Sequence, residues 1–492
     1  MESKTKSKQL SRRDFLQAVA LGGSGVVLAA CAPAATQAPA ATQASAATQA
    51  PAATQPPPQP TNTLAEATPT AVPAKAEATK ISWWNQFSTD TCKKWFPQIV
   101  NDFMTANPGI TVDFEISGGP PGGGNYAEVL LARIAAGNPP DTITLWDPPS
   151  GYGARGALAG IDDLMANATI AKSSAFYEGV LKSCQFKGKT YGLPASAGVG
   201  CLFINNKLFE DKGLSTKRAD LPKTWNDLRE LSAKLNDYAG SDLKSFGMTP
   251  WDTNTMLATW SQLNGGTIFD SGTLTYKIDS PQNVEWFKFW LDWLDKQYKG
   301  NLEKLKIVAN AGDVYPNSTF ALGKTAIATS GAWACTDAGI PFKWEVFTLP
   351  VGPSGSAPKS FYWPNWFAMP KGGPHPQEAF KFVEHMTTNG WATWYENATL
   401  DTPAWKGVSA DVVNKALEKQ EGHDRAIELQ KLFSEMLTTT SDVWTSPVES
   451  FATDTLASAV GELLNKKTAP DAALTNAQKV IQAKLDDTMK NG

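Results

Sequence analysis

The sequence predicts an α/β fold with an open, largely parallel sheet, followed by a helical C-terminal region. Three short strands, 80–84, 110–116 and 141–147, alternate with two segments that have the 3.6-residue periodicity of helices. Strands separated by helices pair in parallel through right-handed crossovers. Apolar residues make up 42% and charged residues 19% of the 492 residues, which is typical of a globular protein and excludes one with many membrane spans.

The two helices between these strands have clear local signals. The helix predicted over 90–109 places Trp95, Ile99 and Phe103 on one side. The helix predicted over 126–140 ends in Gly and Pro, which are typical of helix termination. The first helix therefore has an apolar face that can pack against the sheet, and the second has a defined C-terminal end.

Capping residues predict where two later helices begin. Thr224 precedes an amphipathic segment that carries Asp227 at its third position. Ser280 precedes Pro281, a residue that suits the first position of a helix. Most of the remaining chain also has helical periodicity. The helical segments predicted there are 375–386, 426–437 and 471–485.

Charge and histidine content exclude several functions. Lys and Arg total 44 against 48 Asp and Glu, a net charge of −4, so we expect neither nucleic acid nor an anionic lipid surface as a partner. His375, His385 and His423 are too few for chemistry based on clustered imidazoles. No catalytic motif is present, and we expect no metal ion and no cofactor.

The N-terminus has the features of an export signal, which we assign to residues 1–30. A basic segment precedes the small and apolar residues 18–30, which are too few to span a bilayer. The sequence SRRDFLQ at 11–17 resembles a twin-arginine export signal. LAAC at 28–31 resembles a lipoprotein cleavage box, which implies that Cys31 is lipidated and begins the mature protein. We therefore expect an exported protein, held only by lipid at the outer face of the cytoplasmic membrane.

A tether and four cysteines follow. Residues 31–79 are rich in Ala, Thr, Gln and Pro without hydrophobic periodicity, so we expect a disordered link between the lipidated cysteine and the folded region. Beyond it lie Cys92, Cys184, Cys201 and Cys335. Cys184 and Cys201 flank a predicted hairpin and are the pair that we favour for a disulfide. The alternative is that they are small buried apolar residues.

The 18 tryptophans exceed what core packing requires, because Trp is rarely fully buried. In an open α/β sheet, ligands bind beyond the carboxyl ends of the strands, which here lead into loops 84–87, 118–124 and 146–149. Two of these loops pair Trp with an amide or a carboxylate. That combination suits a sugar, whose C–H faces stack on rings and whose hydroxyls bond polar groups. The candidate ligand-binding residues here are Trp84, Asn85, Gln86, Trp146 and Asp147.

Other roles are open for several of these residue types. Asn85 and Asp147 also suit turns after a strand, and loop 118–124 lacks the Lys-Ser/Thr pair of a phosphate-binding loop. Trp83 and Trp225 lie on predicted core faces. Trp286, Trp290 and Trp293 form a helical stripe that also predicts a core position. The further candidates for ligand binding are Trp260, Trp363 and Trp444.

Six segments carry a resemblance to a known family: 135–164, 188–214, 222–228, 320–333, 341–355 and 366–373. In this order they are similar to the carbohydrate-binding, maltose-binding-protein-like family of extracellular solute-binding proteins of ABC importers. The resemblance implies a two-lobe periplasmic-binding-protein-like α/β fold with a hinge and a ligand cleft between the lobes. The implied lobes are 80–195 plus 364–422 and 196–363 plus 423–492, with hinge crossings near 195–200, Pro364 and Gly422.

The resemblance also assigns site residues. Trp333 matches a family position that stacks on the sugar, Trp146 lies near another, and Asn365 and Trp366 fall where the family lines the cleft. One departure concerns Gly198, which lies near a position that is acidic in the maltose-binding member. The same hydrogen-bonding pattern is therefore not implied here.

The implied function is capture of a sugar or oligosaccharide outside the cell and its delivery to the permease subunits of an ABC transporter. We expect a monomer that is not an enzyme. One alternative is the same fold binding a non-sugar solute such as a polyamine, a glycerol phosphate or a peptide. Another is a secreted carbohydrate-active enzyme, for which Trp platforms would also serve.

Overall fold

The structure is a computed structural model that describes residues 78–240, 242–248, 257–298, 314–337, 339–419, 422–441 and 445–491. The predicted signal, Cys31 and Trp444 lie outside these residues, as does the predicted tether apart from its last two positions. From Ala74 to Gly492 the chain forms one compact unit. Among the described helices, none combines the length and apolar character needed to cross a membrane.

The first of two main sheets has five strands in the order β2-β1-β3-β15-β6. Strand β1 pairs in parallel with β2 and β3, which confirms the predicted parallel arrangement. Strand β15, from the C-terminal half, lies antiparallel between β3 and β6. The strands are β1 (Thr79–Trp84), β2 (Ile110–Phe114), β3 (Thr142–Leu145), β6 (Gly192–Pro194) and β15 (Trp366–Ala368).

The second main sheet is antiparallel and is centred on β7, which is buried along its whole length. Its strands are β7 (Gly198–Asn205), β12 (Ile327–Gly331), β13 (Trp344–Phe347) and β14 (Tyr362–Trp363), the last three all paired with β7. Within the described residues the other strands form three hairpins: β4 (Gln185–Phe186) with β5 (Lys189–Thr190), β8 (Asp237–Ala239) with β9 (Asp242–Ser245), and β10 (Phe269–Asp270) with β11 (Thr275–Tyr276).

The predicted helices are present, and their caps agree with the sequence. Thr224 Oγ1 accepts from the backbone N–H of Asp227 at 3.2 Å, and Ser280 Oγ accepts from that of Asn283 at 3.4 Å. Helices α1 to α8 are Asp90–Ala106, Tyr126–Ala135, Pro149–Ala154, Asp162–Ala166, Glu178–Lys182, Asn206–Glu210, Trp225–Leu235 and Leu257–Leu263. Helices α9 to α16 are Pro281–Tyr298, Ala334–Asp337, Pro376–Thr387, Asn389–Asn397, Ala410–Glu418, His423–Leu437, Glu449–Leu464 and Pro470–Asn491.

Each sheet has its own hydrophobic core. Trp83 lies in the core of the first sheet, in contact with rings from α1, β15 and α11. The core on one face of the second sheet contains the predicted helical stripe, so the core roles of Trp286, Trp290 and Trp293 are confirmed. Trp225 is buried in the same core. Because apolar area is buried around each sheet, this one compact unit contains two packed bodies joined by a few segments.

Two of these joining segments are described in full. Residues 195–197 lead from β6 in the first sheet to β7 in the second, and residues 364–365 lead back from β14 to β15. The two segments are hydrogen-bonded to each other, since the Ala195 N–H donates to Asn365 O at 2.7 Å. The first segment also bonds to the loop after α12, where Ala197 N–H donates to Thr402 O at 2.6 Å.

None of the four cysteines in the described residues forms a disulfide. The favoured Cys184–Cys201 pairing is therefore wrong, because the hairpin that separates these residues is followed by a crossing from one sheet to the other. Cys184 is buried in the core of the first sheet, and Cys201 lies on the outer face of the second. Burial raises the pKa of both thiols, which keeps them as neutral apolar groups.

Candidate functional site

A cavity of about 660 Å³ is lined by residues of both sheets and their helices, within the range of small-molecule sites. From the first body, its walls come from the loops after β1 and β3, the N-terminus of α1, and α12. From the second they come from β12, the turn that follows it, β14 and the N-terminus of α15. The lining residues are Phe87, Thr89, Cys92, Trp146, Asp147, Tyr315, Thr329, Ser330, Trp333, Phe361, Trp363, Asn365, Trp391, Trp394, Thr399, Asp401, Glu449, Ser450, Thr453 and Asp454.

Five of the predicted site residues line this cavity: Trp146, Asp147, Trp333, Trp363 and Asn365. Trp146 is exposed over 39% of its surface, which is unusual for a ring of this size and leaves it available for contact. Trp333 and Trp363 are half-buried. Two predicted loops, those after β1 and β3, contribute to the lining, whereas loop 118–124 does not.

The three candidates in the loop after β1 do not line the cavity. The Trp84 ring is buried, with the guanidinium of Arg133 at 5.7 Å from its centroid. Asn85 Nδ2 donates to the carbonyl oxygen of Glu115 at 2.9 Å, and its Oδ1 accepts from the backbone two residues on at 3.2 Å. Gln86 Nε2 donates to a backbone carbonyl of β3 at 3.5 Å. Asn85 therefore acts in a turn after the strand, the alternative role considered for it.

Two further predicted tryptophans lie in the cores. Trp260 is buried with its ring centroid 5.7 Å from those of Trp225 and Trp290, in the core of the second sheet. Trp366 is buried in the first core, where its Nε1 donates to Ser183 Oγ at 2.8 Å. Because neither ring lines the cavity, both act in packing.

Glycines on the second sheet hold the aromatic wall of the cavity in place. Gly200 and Gly331 are paired across β7 and β12. A Cβ at Gly331 would overlap the ring of Trp333, and one at Gly200 would overlap the ring of Phe361. The bare backbone therefore lets both rings lie against the sheet, with their centroids 6.4 Å apart at an interplanar angle of 66°.

Asp401 is a buried carboxylate in the cavity wall. It is 4% exposed, and its Oδ1 has no hydrogen-bond partner among the described residues. Gly198 makes room for this oxygen, because a Cβ there would overlap Oδ1 and would lie 3.0 Å from Trp333 Cε3. Burial raises the pKa of Asp401 to about 8, and a hydrogen bond from Ser196 opposes the shift. Burial in the cavity wall therefore favours the neutral form of this carboxyl group.

Asp147 and Glu449 form a second acidic part of the cavity lining. Tyr152 Oη donates to Asp147 Oδ2 at 3.3 Å, and the Arg155 guanidinium lies 4.9 Å from the centroid of the Tyr152 ring. Burial raises the pKa of Asp147, while the Tyr152 hydrogen bond and the Arg155 charge oppose the rise. Burial raises the pKa of Glu449 as well, and repulsion from Asp147 adds to this. Burial thus disfavours the charged form of both carboxyl groups.

Most of the acidic and most of the aromatic lining residues are not among the predicted site residues. Trp391 and Trp394, spaced by three residues on α12, have the spacing of a core stripe. Asp401, Glu449 and Asp454 come from parts of the chain far from the predicted loops, and no motif marks them. Among the described lining residues there is no Lys, Arg or His. No group of three or more His, Cys, Asp and Glu in the described chain is arranged to hold a metal ion.

Comparison with known proteins identifies the family. Residues 88–393 match the sequence model of the family described as bacterial extracellular solute-binding protein. The chain belongs to this family. A maltotriose-binding protein of Pyrococcus abyssi is 26% identical over 331 residues, which cover 64% of this chain and 64% of that protein. A multiple sugar-binding protein of Streptococcus mutans is 23% identical over 69% of this chain and 78% of its own length.

Solved structures share the fold. An ABC substrate-binding protein from Listeria monocytogenes, in complex with cycloalternan, aligns with a TM-score of 0.68 at 21% identity. The alignment covers 83% of this chain and all of that chain. The predicted periplasmic-binding-protein-like α/β fold is thereby confirmed.

Proposed function

We propose that this protein captures a sugar or oligosaccharide outside the cell and delivers it, unchanged, to the permease subunits of an ABC importer. Family membership supports a binding role. The named relatives are binding proteins, and two of them carry sugars in their names. The chain spans only 64% of the length of the Pyrococcus relative. The kind of ligand is therefore inferred from the residues that line the cavity.

The observation that carries this proposal is the composition of the cavity wall. Trp146, Trp333 and Trp363 provide flat apolar surfaces, and Asn365, Ser330 and other polar residues between them provide hydrogen-bonding groups. A pyranose has both an apolar C–H face and a rim of hydroxyls, so one ligand satisfies both kinds of wall. Trp84, Trp260 and Trp366 are not included in the proposed site, because they do not line the cavity.

A glycerol phosphate, one of the non-sugar alternatives, fits this wall less well. A glycerol phosphate needs positive side chains or a cluster of N–H donors around its phosphate. The described lining has no Lys, Arg or His and has four carboxylates, which would repel a phosphate. The sugar assignment is therefore favoured over an anionic solute.

We further propose that the two packed bodies are the lobes implied by the family resemblance, 80–195 plus 364–422 and 196–363 plus 423–492. The two described joining segments, 195–197 and 364–365, would then form part of the hinge. Cys31 would carry the lipid anchor, and residues 31–79 would let a monomer move near the membrane while its ligand cavity stays open to the outside.

A thermal-shift screen of the purified protein tests the proposal. Saccharides of one to four rings are compared with spermidine, glycerol phosphate and short peptides. A ligand that binds only the native state, at 100 times its dissociation constant, adds about 2.7 kcal/mol to the free energy of unfolding, so we expect a rise of several degrees with a saccharide. A rise with only spermidine, glycerol phosphate or a peptide would refute sugar binding.

Two tryptophan variants locate the response in the cavity. Trp146→Ala removes an exposed ring from the cavity mouth and should abolish most of the shift with little change in the melting temperature of the unliganded protein. Trp95→Ala removes a half-buried ring of α1 that does not line the cavity, and should leave the saccharide-induced shift intact. Equal loss of the shift in both variants would place the binding site elsewhere.

A further inference from the structure

The cavity is negatively charged as well as aromatic. Four carboxylates line it, of which two are partly buried, one is buried and one is exposed. No described lining residue is positively charged. Arg155 lies nearby, but its guanidinium is over the ring of Tyr152 and its Nε donates to a backbone carbonyl at 3.3 Å. The cavity therefore offers more negative than positive charge to a ligand. The four carboxylates are Asp147, Asp401, Glu449 and Asp454.

Asp401 gives the independent sign that a ligand completes this site. A carboxylate oxygen buried without a hydrogen bond costs free energy, and such groups are retained where a partner arrives. Gly198 preserves the arrangement, since its missing side chain is what lets Oδ1 approach the sheet beside the indole of Trp333. The carboxylate and the aromatic ring thus border the same small space.

A positive charge would be stabilised there in two ways. It would form a charge-assisted hydrogen bond with the carboxylate, and it would be attracted to the negative face of the indole ring. A neutral hydroxyl would gain only the first kind of contact, and more weakly. The exposed Trp146 and the partly buried Asp147 repeat the pairing of ring and carboxylate elsewhere in the cavity lining.

We propose that the cavity selects a sugar that carries a protonated amine, held by Asp401 and Trp333, over a neutral or acidic sugar. This inference rests on the proposed function, because it takes the sugar class as given and adds the charge of the ligand. Chemically, the ligand class is an oligosaccharide of amino sugars with free amino groups.

Binding of such a ligand should release protons. Burial raises the pKa of Asp401 to about 8 and also raises the pKa of Asp147 and Glu449, and a cation beside these groups favours their charged forms. The titratable groups that face Asp401 include Tyr395, whose pKa is also raised, and Tyr152 and Arg155 act on Asp147. Affinity for the amine should therefore rise with pH until the ligand amine itself loses its proton.

Calorimetry with a matched set of trisaccharides tests the inference. The glucosamine trimer carries amines, the N-acetylglucosamine trimer has the same backbone without charge, and cellotriose is neutral. At pH 7 we expect the amine trimer to bind about tenfold to a hundredfold more tightly than the acetylated one, the range expected of a charge-assisted hydrogen bond. Titrations in two buffers of different ionisation enthalpy should show proton release only for the amine.

Variants separate a charge effect from a change in shape. Asp401→Asn keeps the side-chain volume and should remove most of the amine preference while neutral trimers bind as before. Glu449→Gln likewise removes the charge of a cavity carboxylate at nearly constant volume. It tests whether charge causes the amine preference if Asp401→Asn does not fold. Asp163→Asn, on the exposed surface of α4 and outside the cavity, should leave the preference unchanged.

The possible results test the preference for a charged sugar and sugar binding itself separately. If the neutral trimers bind as tightly as the amine, the inference about charge is overturned and sugar binding stands. If no saccharide binds and spermidine does, the carboxylates of the cavity bind a polyamine. The proposed sugar function then fails together with the amino-sugar inference. If the amine preference survives in both carboxylate variants, Asp401 and Glu449 do not hold the ligand.

Discussion

Gly198 decides how closely a carboxylate approaches the aromatic wall of the cavity. In Gly198→Ala, the new Cβ would overlap Asp401 Oδ1 and crowd the ring of Trp333, so one or both side chains must move. We expect a loss of about 1–3 kcal/mol in the free energy of unfolding, as for other overpacked sites, and weaker ligand binding. Thermal unfolding and calorimetry measure the two effects separately.

Gly119→Ala is the control for that substitution. Gly119 is half-buried and lies outside the cavity, and a Cβ there would have nothing within 4 Å. Both the melting temperature and the affinity should stay near those of the natural protein. If Gly198→Ala behaves in the same way, Asp401 is not confined by the sheet as the structure describes.

Some individual residues of the cavity can be predicted from the sequence, and others cannot. Trp146 and Asp147 follow a predicted strand, so their position at the carboxyl end of the sheet could be inferred. Trp84 and Trp366 also lie at the ends of strands, yet their rings are packed into the core, since an end position does not determine which face a ring takes. Asp401 could not be found, because its partner Gly198 is about two hundred residues away in the chain and neither belongs to a motif.

At the scale of elements, the start of α7 depends on one hydroxyl. Thr224 Oγ1 accepts from Asp227 N–H at 3.2 Å and donates to the Asp227 carboxylate at 2.8 Å. We expect Thr224→Ala to lower the free energy of unfolding by about 1 kcal/mol through loss of this cap, and Thr224→Ser to have little effect. Thermal unfolding of the two variants checks this, and equal stability of both would show that tertiary contacts alone fix the helix start.

The same helix illustrates why helices were predicted better than strands. Caps and a 3.6-residue apolar stripe are local signals, and they were sufficient for α1, α7 and α9. The second sheet has no such signal. Strand β7 is buried on both faces and so lacks alternation, and β14 has only two residues, whose pairing depends on segments more than a hundred residues away.

At the scale of the whole molecule, local patterns predict an α/β protein but not its division into two bodies. The chain leaves the first sheet after β6 and returns to it only at β15, so each body is built from separate parts of the sequence. Periodicity carries no information about such returns. The two-lobe α/β architecture is implied by the family resemblance, whose motifs occur in a fixed order along the chain.

The two bodies and their few connections lead to a prediction about motion. The cavity is lined from both sides, and the segments that join its walls, 195–197 and 364–365, are short. A ligand that contacts both walls gains more contacts when they approach, so it should shift the population toward a closed form. We expect the radius of gyration from solution scattering to fall when a saturating saccharide is added. Trp333→Ala, which removes a ring from one wall, should show less compaction at the same ligand concentration. An unchanged radius at full occupancy, measured on the same chain with the same tether, would mean that the walls are fixed and that the cavity binds its ligand without closing.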